Sequence, residues 1–124
     1  MRRASTTLTG QELEIMKIVW QREKGVTVRD VYEALLERRK VAYTTVMTMM
    51  NILEQKKYLK KTQSERAYLY RAARPQRQVI AGMVREFVNR VFNGSAEPLL
   101  VHLVEEHNLT REDLEEIARL RRKS

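Results

Sequence analysis

Five uncharged side chains recur at helical spacing between residues 42 and 56. A helix face that only meets water normally carries glutamate and lysine. These positions instead offer hydroxyl, amide and methyl-bearing groups, which match the donors, acceptors and thymine methyl that base edges expose in the major groove of DNA. The sequence therefore predicts a base-reading helix face formed by Tyr43, Thr44, Met47, Thr48 and Asn51. For Thr44 alone, capping of the helix is an alternative interpretation.

Basic residues lie on both sides of this segment along the chain. Lysine and arginine side chains contact DNA phosphates without reading the sequence, and they position a protein on the duplex. Lysines on a small hairpin also protect an edge strand against aggregation, which is an alternative role for two of these residues. The candidate phosphate contacts are Arg38, Arg39, Lys40, Lys60, Lys61 and Arg66, and the alternative concerns Lys60 and Lys61.

The formal net charge of +8 is unevenly distributed along the chain. Residues 1–74 contain 16 Lys and Arg against 8 Asp and Glu, whereas residues 75–124 contain 8 of each. A polyanion such as nucleic acid is the natural partner of the first part, although a generic solvated basic surface would give the same count.

Capping signals indicate where the elements that position these side chains begin. A threonine followed three residues later by an acidic residue forms a capping box, and Thr9 with Glu12 and Thr27 with Asp30 fit this pattern. Apolar residues at steps of three and four follow both signals. We expect a first helix that runs until Gly25 stops it and a second helix that ends near residues 38–40.

The third helix is expected from about Ala42 to Lys56. After it, residues 58–63 and 67–72 are rich in Tyr, Leu and Thr on either side of a polar turn at residues 63–66, which predicts a two-stranded hairpin. Three helices followed by a hairpin is the order of a winged helix-turn-helix domain. The predicted fold is mainly α with a small β-hairpin, and the buried face of the third helix comprises Val46, Met49, Met50 and Leu53.

Pro75 marks the boundary between a DNA-binding domain, residues 1–74, and a C-terminal helical dimerisation region, residues 75–124. Three helices with apolar stripes are expected after it, and about 50 residues cannot hide such stripes within one copy. A symmetric partner would cover them, and folding back onto the first part is the alternative. The predicted dimer interface comprises Ile80, Met83, Val84, Phe87, Val91, Leu99, Leu100, Leu103, Leu114 and Ile117.

Enzyme, metal and membrane functions lack the residues that they require. The sequence has no cysteine and only two histidines, so neither a zinc site nor a thiolate nucleophile is expected. It also has no glycine-rich phosphate loop and no histidine near a serine with a supporting acid. We therefore predict no catalytic residue, no metal and no cofactor. Without an apolar run of about 18 residues, a cytoplasmic location without membrane insertion is expected.

Four segments resemble the penicillinase-repressor family of bacterial regulators, the BlaI/MecI type, and the resemblance extends from Leu8 to Leu120. They are residues 13–20, 27–32, 42–48 and 66–70, and their order and spacing together are specific. The resemblance implies a homodimeric transcriptional repressor that binds an inverted-repeat, palindromic operator on double-stranded DNA. Family members commonly control β-lactamase or penicillin-binding protein genes, so the resemblance implies that this chain controls β-lactamase-type or cell-wall-stress genes and has a role in antibiotic resistance. The alternative function is a winged-helix module for protein interaction or nonspecific nucleic-acid binding.

In the known circuits of this family, a membrane-bound sensor protease triggers cleavage of the repressor in its dimerisation region. The family's scissile Asn-Phe pair is replaced in this chain by His102 and Leu103, which makes these two residues a candidate regulatory cleavage site that departs from the pattern. Lys57 stands at a helix end where the family often has glycine, and it suggests a different local cap.

Overall fold

The computed structural model describes residues 7–121. The first part of the chain contains three helices and a hairpin, with the order α1 (Gly10–Trp20), α2 (Val28–Leu36), α3 (Tyr43–Gln55), β1 (Leu59–Gln63) and β2 (Tyr68–Ala72). The two strands are antiparallel neighbours. This order confirms the predicted winged helix.

The predicted capping boxes of α1 and α2 are present. The Thr9 hydroxyl accepts from the backbone N of Glu12 at 3.1 Å, while the Glu12 carboxylate accepts from the backbone N of Thr9 at 2.9 Å. Thr27 and Asp30 make the same reciprocal pair at 3.0 Å each. Two hydrogen bonds thus satisfy backbone donors that the start of each helix would leave free.

One predicted helix end is wrong, because α1 ends at Trp20, well before Gly25. The helix α2 ends at Leu36, and the backbone N of Arg38 and of Arg39 still donate to the oxygen of Leu35, close to the predicted end. Gly25 instead has a φ of +100°, in the left-handed region that suits glycine, and it turns the chain towards Val26. Val26 then pairs with Tyr70 of β2 through two backbone hydrogen bonds, so the segment after α1 joins the hairpin.

The core of this part lies where the three helices meet the hairpin. On α3, Val46, Met50 and Leu53 are 0 % exposed, whereas the predicted core residue Met49 is half-buried. Full burial of such a side chain contributes roughly 1.5–3 kcal/mol relative to exposure. Each helix and strand supplies at least one buried side chain, and the most enclosed ones are Ile15, Met16, Val19, Val26, Val31, Leu35, Val46, Met50, Leu53 and Leu59.

A buried ion pair connects the start of α1 to the end of α3. The ammonium nitrogen of Lys56 lies 2.8 Å and 3.1 Å from the two carboxylate oxygens of Glu12. The same nitrogen donates to the backbone oxygen of Thr7 at 3.2 Å. The Glu12 side chain is only 7 % exposed, so these partners replace the water that its carboxylate loses on burial.

The end of α3 adopts the backbone that usually selects glycine. Lys57 has a φ of +72°, its backbone N donates to the oxygen of Glu54 at 3.0 Å, and the N of Tyr58 donates to the oxygen of Leu53 at 2.9 Å. These two bonds form a Schellman cap, whose left-handed position is most often glycine. The suggestion of a different local cap is therefore wrong, because lysine occupies the left-handed position itself.

The second part of the chain contains helices α4 (Gln76–Phe92), α5 (Glu97–His107) and α6 (Arg111–Arg119), which confirms the three predicted helices. Pro98 lies in the first turn of α5, and Thr110 with Asp113 forms a third capping box at α6. Within residues 7–121, no helix combines the length and apolar character needed to span a membrane. The same residues contain no group of three metal-ligating side chains.

The chain divides into two compact units, one ending at Ile80 and the other starting at Ala81. The division falls inside α4 rather than at Pro75, and Val79 in the first turns of this helix is buried. The assignment of DNA binding to residues 1–74 and of dimerisation to residues 75–124 stays a prediction.

Replacement of Lys57 by glycine should stabilise the protein. A side chain with a Cβ costs about 1–2 kcal/mol in the left-handed region, and the extra freedom of glycine in the unfolded chain offsets part of the gain. We expect Lys57→Gly to raise the free energy of unfolding by about 0.5–1 kcal/mol in urea denaturation. Lys57→Ala is the control, because it removes the charge and keeps the Cβ. Equal effects of the two substitutions would contradict the backbone explanation.

Candidate nucleic-acid interface

The helix α3 presents its five predicted base-reading residues on the side opposite its buried face. All five are exposed, and the large side chains of Tyr43 and Met47 are 37 % and 39 % exposed. Thr44, Thr48 and Asn51 place two hydroxyls and an amide on the same side. The helix therefore carries uncharged hydrogen-bonding groups and apolar groups together on a surface that is open to a ligand.

Thr44 is not the cap of α3. The helix begins after Ala42, whose backbone is extended, and no side chain caps this end. Thr44 is the second helical residue and its side chain is exposed. Its hydroxyl is thus placed for an external partner, and the capping alternative is wrong.

A groove of about 740 Å³ runs between α3, the first turn of α2 and the hairpin. Its lining combines aromatic rings, cationic groups and the side chains that α3 presents. Such a lining suits a ligand that carries negative charges beside flat, hydrogen-bonding rings. The aromatic and cationic lining residues are Tyr43, Tyr68, Tyr70, Arg29, Lys61 and Arg66.

Aromatic rings hold two of these cations at the rim of the groove. The Lys61 ammonium lies 4.4 Å from the centre of the Tyr68 ring, and the Arg29 guanidinium lies 5.6 Å from that of Tyr43. The Tyr43 ring in turn packs edge-on against Tyr32 at 5.3 Å. Sequence reasoning missed Arg29 and Tyr68, since Arg29 lies inside a capping motif and Tyr68 in an alternating strand pattern.

Tyr70 links the hairpin to α3. Its side chain is 3 % exposed, and its hydroxyl donates to the Oδ1 of Asn51 at 3.3 Å. Burial raises the pKa of the Tyr70 hydroxyl above its ordinary value, and the positive charge of Lys61 opposes this shift. The hydroxyl therefore stays protonated and able to donate at neutral pH.

The six candidate phosphate contacts differ in their surroundings. Arg38, Lys40, Lys60 and Arg66 are exposed, and among residues 7–121 none of them forms an ion pair. Arg39 is the exception, because it donates to the Glu14 carboxylate at 2.7 Å. This hydrogen bond and the negative charge of Glu14 raise the pKa of Arg39. The guanidinium of Arg39 is thus already partnered, which the sequence did not reveal.

The predicted dimer-interface residues are exposed or half-buried within the single chain. Val84, Leu100 and Ile117 are 51 %, 54 % and 51 % exposed, and Met83 and Leu99 are half-buried. None of the residues of α5 and α6 is buried. His102 and Leu103 lie in the middle of α5, where the His102 ring is 5.9 Å from that of Phe92.

Comparison with known proteins gives the family. The family model described as penicillinase repressor matches residues 8–123. The chain belongs to the penicillinase repressor family. It is 38 % identical over 101 residues to the transcriptional regulator BlaI of Mycobacterium tuberculosis, covering 81 % of this chain and 73 % of that protein. It is 22 % identical to the penicillinase repressor of Staphylococcus aureus over 86 % of this chain and 83 % of that protein.

A solved structure shares the fold of this penicillinase repressor family member. FabT of Streptococcus pneumoniae, crystallised in complex with DNA, superimposes with a TM-score of 0.50 at 20 % identity, over 89 % of this chain and 78 % of FabT. At this identity the likeness shows the winged-helix fold alone. Because the penicillinase repressor family is one of DNA-binding transcriptional repressors and not of enzymes, the chain is a transcriptional repressor.

The three basic residues between α2 and α3 should contribute unequally to DNA binding. Each phosphate contact adds about one to the slope of log affinity against log salt concentration. We expect Arg38→Ala and Lys40→Ala each to lower this slope by about one, and Arg39→Ala to lower it by less, because Glu14 already partners Arg39. Fluorescence anisotropy with a random-sequence duplex at several salt concentrations measures the slopes.

The matched control for these variants is Arg119→Ala, which removes an exposed arginine of α6 that pairs with Glu116. It should leave the slope unchanged. An Arg39→Ala slope equal to that of Arg38→Ala would show that the contact with Glu14 does not withhold Arg39 from phosphate.

Proposed function

We propose that this protein represses transcription by binding an inverted-repeat operator as a homodimer. Each copy places α3 in a major groove and the hairpin beside the neighbouring phosphates. The observation that carries this proposal is the exposed, uncharged face of α3 next to a groove rimmed by Arg29, Lys61 and Arg66. A nonspecific basic module would need the cations but not the hydrogen-bonding face, so the module alternative is disfavoured.

Base reading is assigned to the outward side chains of α3. The amide of Asn51 offers a donor and an acceptor, which match the N7 and N6 positions of adenine. The hydroxyls of Thr44 and Thr48 bond to base edges of either kind, and Met47 offers an apolar contact for the thymine methyl. Tyr43, with Arg29 over its ring, lies at the edge of this face.

Positioning is assigned to the cations of the hairpin and of the segment before α3. Lys61, held over Tyr68, and Arg66, in the turn between the strands, lie on one side of α3. Arg38 and Lys40 lie in the segment between α2 and α3, just before the recognition helix begins. Phosphate contacts on both sides of a recognition helix fix its depth and register in the groove without adding sequence preference.

Dimer formation is assigned to the helices after Pro75. Their exposed apolar side chains, such as Val84, Phe87 and Ile117, would lose contact with water in a symmetric pair. Two tethered recognition helices bind a palindrome far more tightly than one, because the second half-site then sees an effective concentration in the millimolar range. The neutral charge balance of residues 75–124 also suits a protein partner better than DNA.

The regulated genes are proposed to be of the β-lactamase or cell-wall-stress type, with the repressor acting in the cytoplasm. This part rests on the relatives, which include penicillinase repressors and the methicillin resistance regulatory protein MecI of Mammaliicoccus sciuri, 21 % identical over 89 % of both chains. Release from DNA is proposed to follow damage to α5, since a cut between His102 and Leu103 by a membrane-bound sensor protease would divide this helix.

Substitutions on α3 and on the hairpin should have different effects on DNA binding. Asn51→Ala or Thr48→Ala should weaken binding to the cognate operator by roughly 1–3 kcal/mol and barely change binding to random DNA. Lys61→Ala or Arg66→Ala should weaken both and lower the salt slope by about one. The operator is the duplex that the protein protects from nuclease upstream of its own gene. If no duplex is bound in preference to random DNA, the module alternative is correct.

Charge placed on α5 should separate the two copies. Leu103 is 40 % exposed, so Leu103→Asp is compatible with the fold of a single chain but would bury a carboxylate in the proposed interface. We expect the variant to sediment as a monomer at micromolar concentration and to lose operator affinity while the helix content remains. Leu103→Met, which keeps volume and polarity, is the control and should stay dimeric. A dimeric Leu103→Asp protein with normal operator affinity would contradict the proposed interface.

A further inference from the structure

Tyr70 is held firmly beside the proposed base-reading face. Its backbone pairs with Lys61 in the hairpin and bonds to Val26 through hydrogen bonds of 2.9 Å and 2.7 Å. Its ring is almost completely buried. The position of its hydroxyl is therefore set by two neighbouring chain segments and by the core, not by a flexible side chain.

The Asn51 side chain, in contrast to that of Tyr70, is not held in place by the core. It lies on the exposed side of α3, and the terminal torsion of an asparagine side chain is broad, so its amide would rotate freely in water. An amide that rotates presents a donor and an acceptor interchangeably. Base reading by such a group requires that something fix which atom faces the DNA, because ordering the side chain costs free energy on binding.

The hydrogen bond between these two residues supplies that constraint. The Tyr70 hydroxyl donates to Oδ1 of Asn51 at 3.3 Å and occupies one of the two lone pairs of this oxygen. The Nδ2 group is then turned away from Tyr70, and the second lone pair of Oδ1 remains available. A donor beside an available acceptor is the pattern that complements adenine in the major groove.

We propose that Tyr70 is a positioning residue for sequence reading, whose buried hydroxyl holds the Asn51 amide in the orientation that selects adenine. This inference deepens the proposed function and rests on it. Tyr70 contributes through Asn51 and touches no base itself, so specificity at one base pair depends on a residue of the hairpin. The hairpin thereby contributes to sequence reading as well as to phosphate binding.

The test compares complete specificity profiles of the full-length protein and its variants. The wild-type chain first selects duplexes from a random-sequence DNA library, and the affinity for every single-base variant of the selected duplex is then measured. The variants are Tyr70→Phe, Asn51→Ala, the double variant and Tyr58→Phe. Tyr58 is another buried tyrosine, with Arg74 stacked on its ring at 4.5 Å, and it serves as the matched control.

We expect Tyr70→Phe to alter the profile only at the base pair where Asn51→Ala loses its preference. Loss of one neutral hydrogen bond predicts a fall of roughly 3- to 10-fold in the preference for adenine there. Binding to random DNA and the profile at other positions should not change. In the Asn51→Ala background, Tyr70→Phe should have no further effect, because the group through which it acts is gone.

Several results would overturn the inference. One is a Tyr70→Phe specificity profile that equals that of the wild type. Another is a loss of affinity spread evenly over all base pairs, as a structural defect would give. The third is an effect of Tyr70→Phe that persists in the Asn51→Ala background. If Tyr70→Phe does not fold, Asn51→Gln is tested in its place. This substitution keeps the amide but moves it beyond the Tyr70 hydroxyl. A variant that retains the preference for adenine would then contradict the inference. A wild-type chain that selects no sequence would overturn the proposed function itself.

Discussion

The Glu12 carboxylate connects the first helix to the third. It accepts from the backbone N of Thr9, the N-cap of α1, and from the ammonium group of Lys56, the C-cap of α3. Removal of one partner from a buried ion pair costs several kcal/mol, because the other charge is left without compensation. One side chain thus caps the first helix and anchors the last turn of the third. The uncharged face of α3 is directed outward because its other face is fixed to this core.

The core beneath α3 supports the proposed DNA-binding surface, to which base reading and phosphate contact are assigned. Val46, Met50 and Leu53 are completely buried, so the side chains opposite them project from a helix that cannot easily shift. The cations around the groove are held differently, since Lys61 and Arg29 lie over aromatic rings and keep their charged ends near solvent. The backbone positions of the proposed base-reading residues are therefore fixed by the core, whereas the proposed phosphate-binding side chains keep some freedom to adapt.

The helices after Pro75 leave more of their apolar side chains exposed than the helices of the first unit do. Both α5 and α6 carry regular apolar residues, yet they bury none of them completely within the chain. Helices of this length gain most of their stability from packing of an apolar face rather than from intrinsic propensity. The proposal of a symmetric partner follows from this balance, and it gives these helices the packing that the first unit obtains from its own core.

The sequence by itself determined the features that depend on neighbouring residues. All three capping boxes, at Thr9, Thr27 and Thr110, were predictable, because their hydrogen bonds join groups three residues apart. The apolar spacing likewise predicted α3 and its exposed face, and the alternating residues predicted the hairpin. Only the tertiary structure decided the contacts between distant segments. The pairing of Arg39 with Glu14 and the bond from Tyr70 to Asn51 were not predictable, because they depend on how packed helices and strands bring remote residues together.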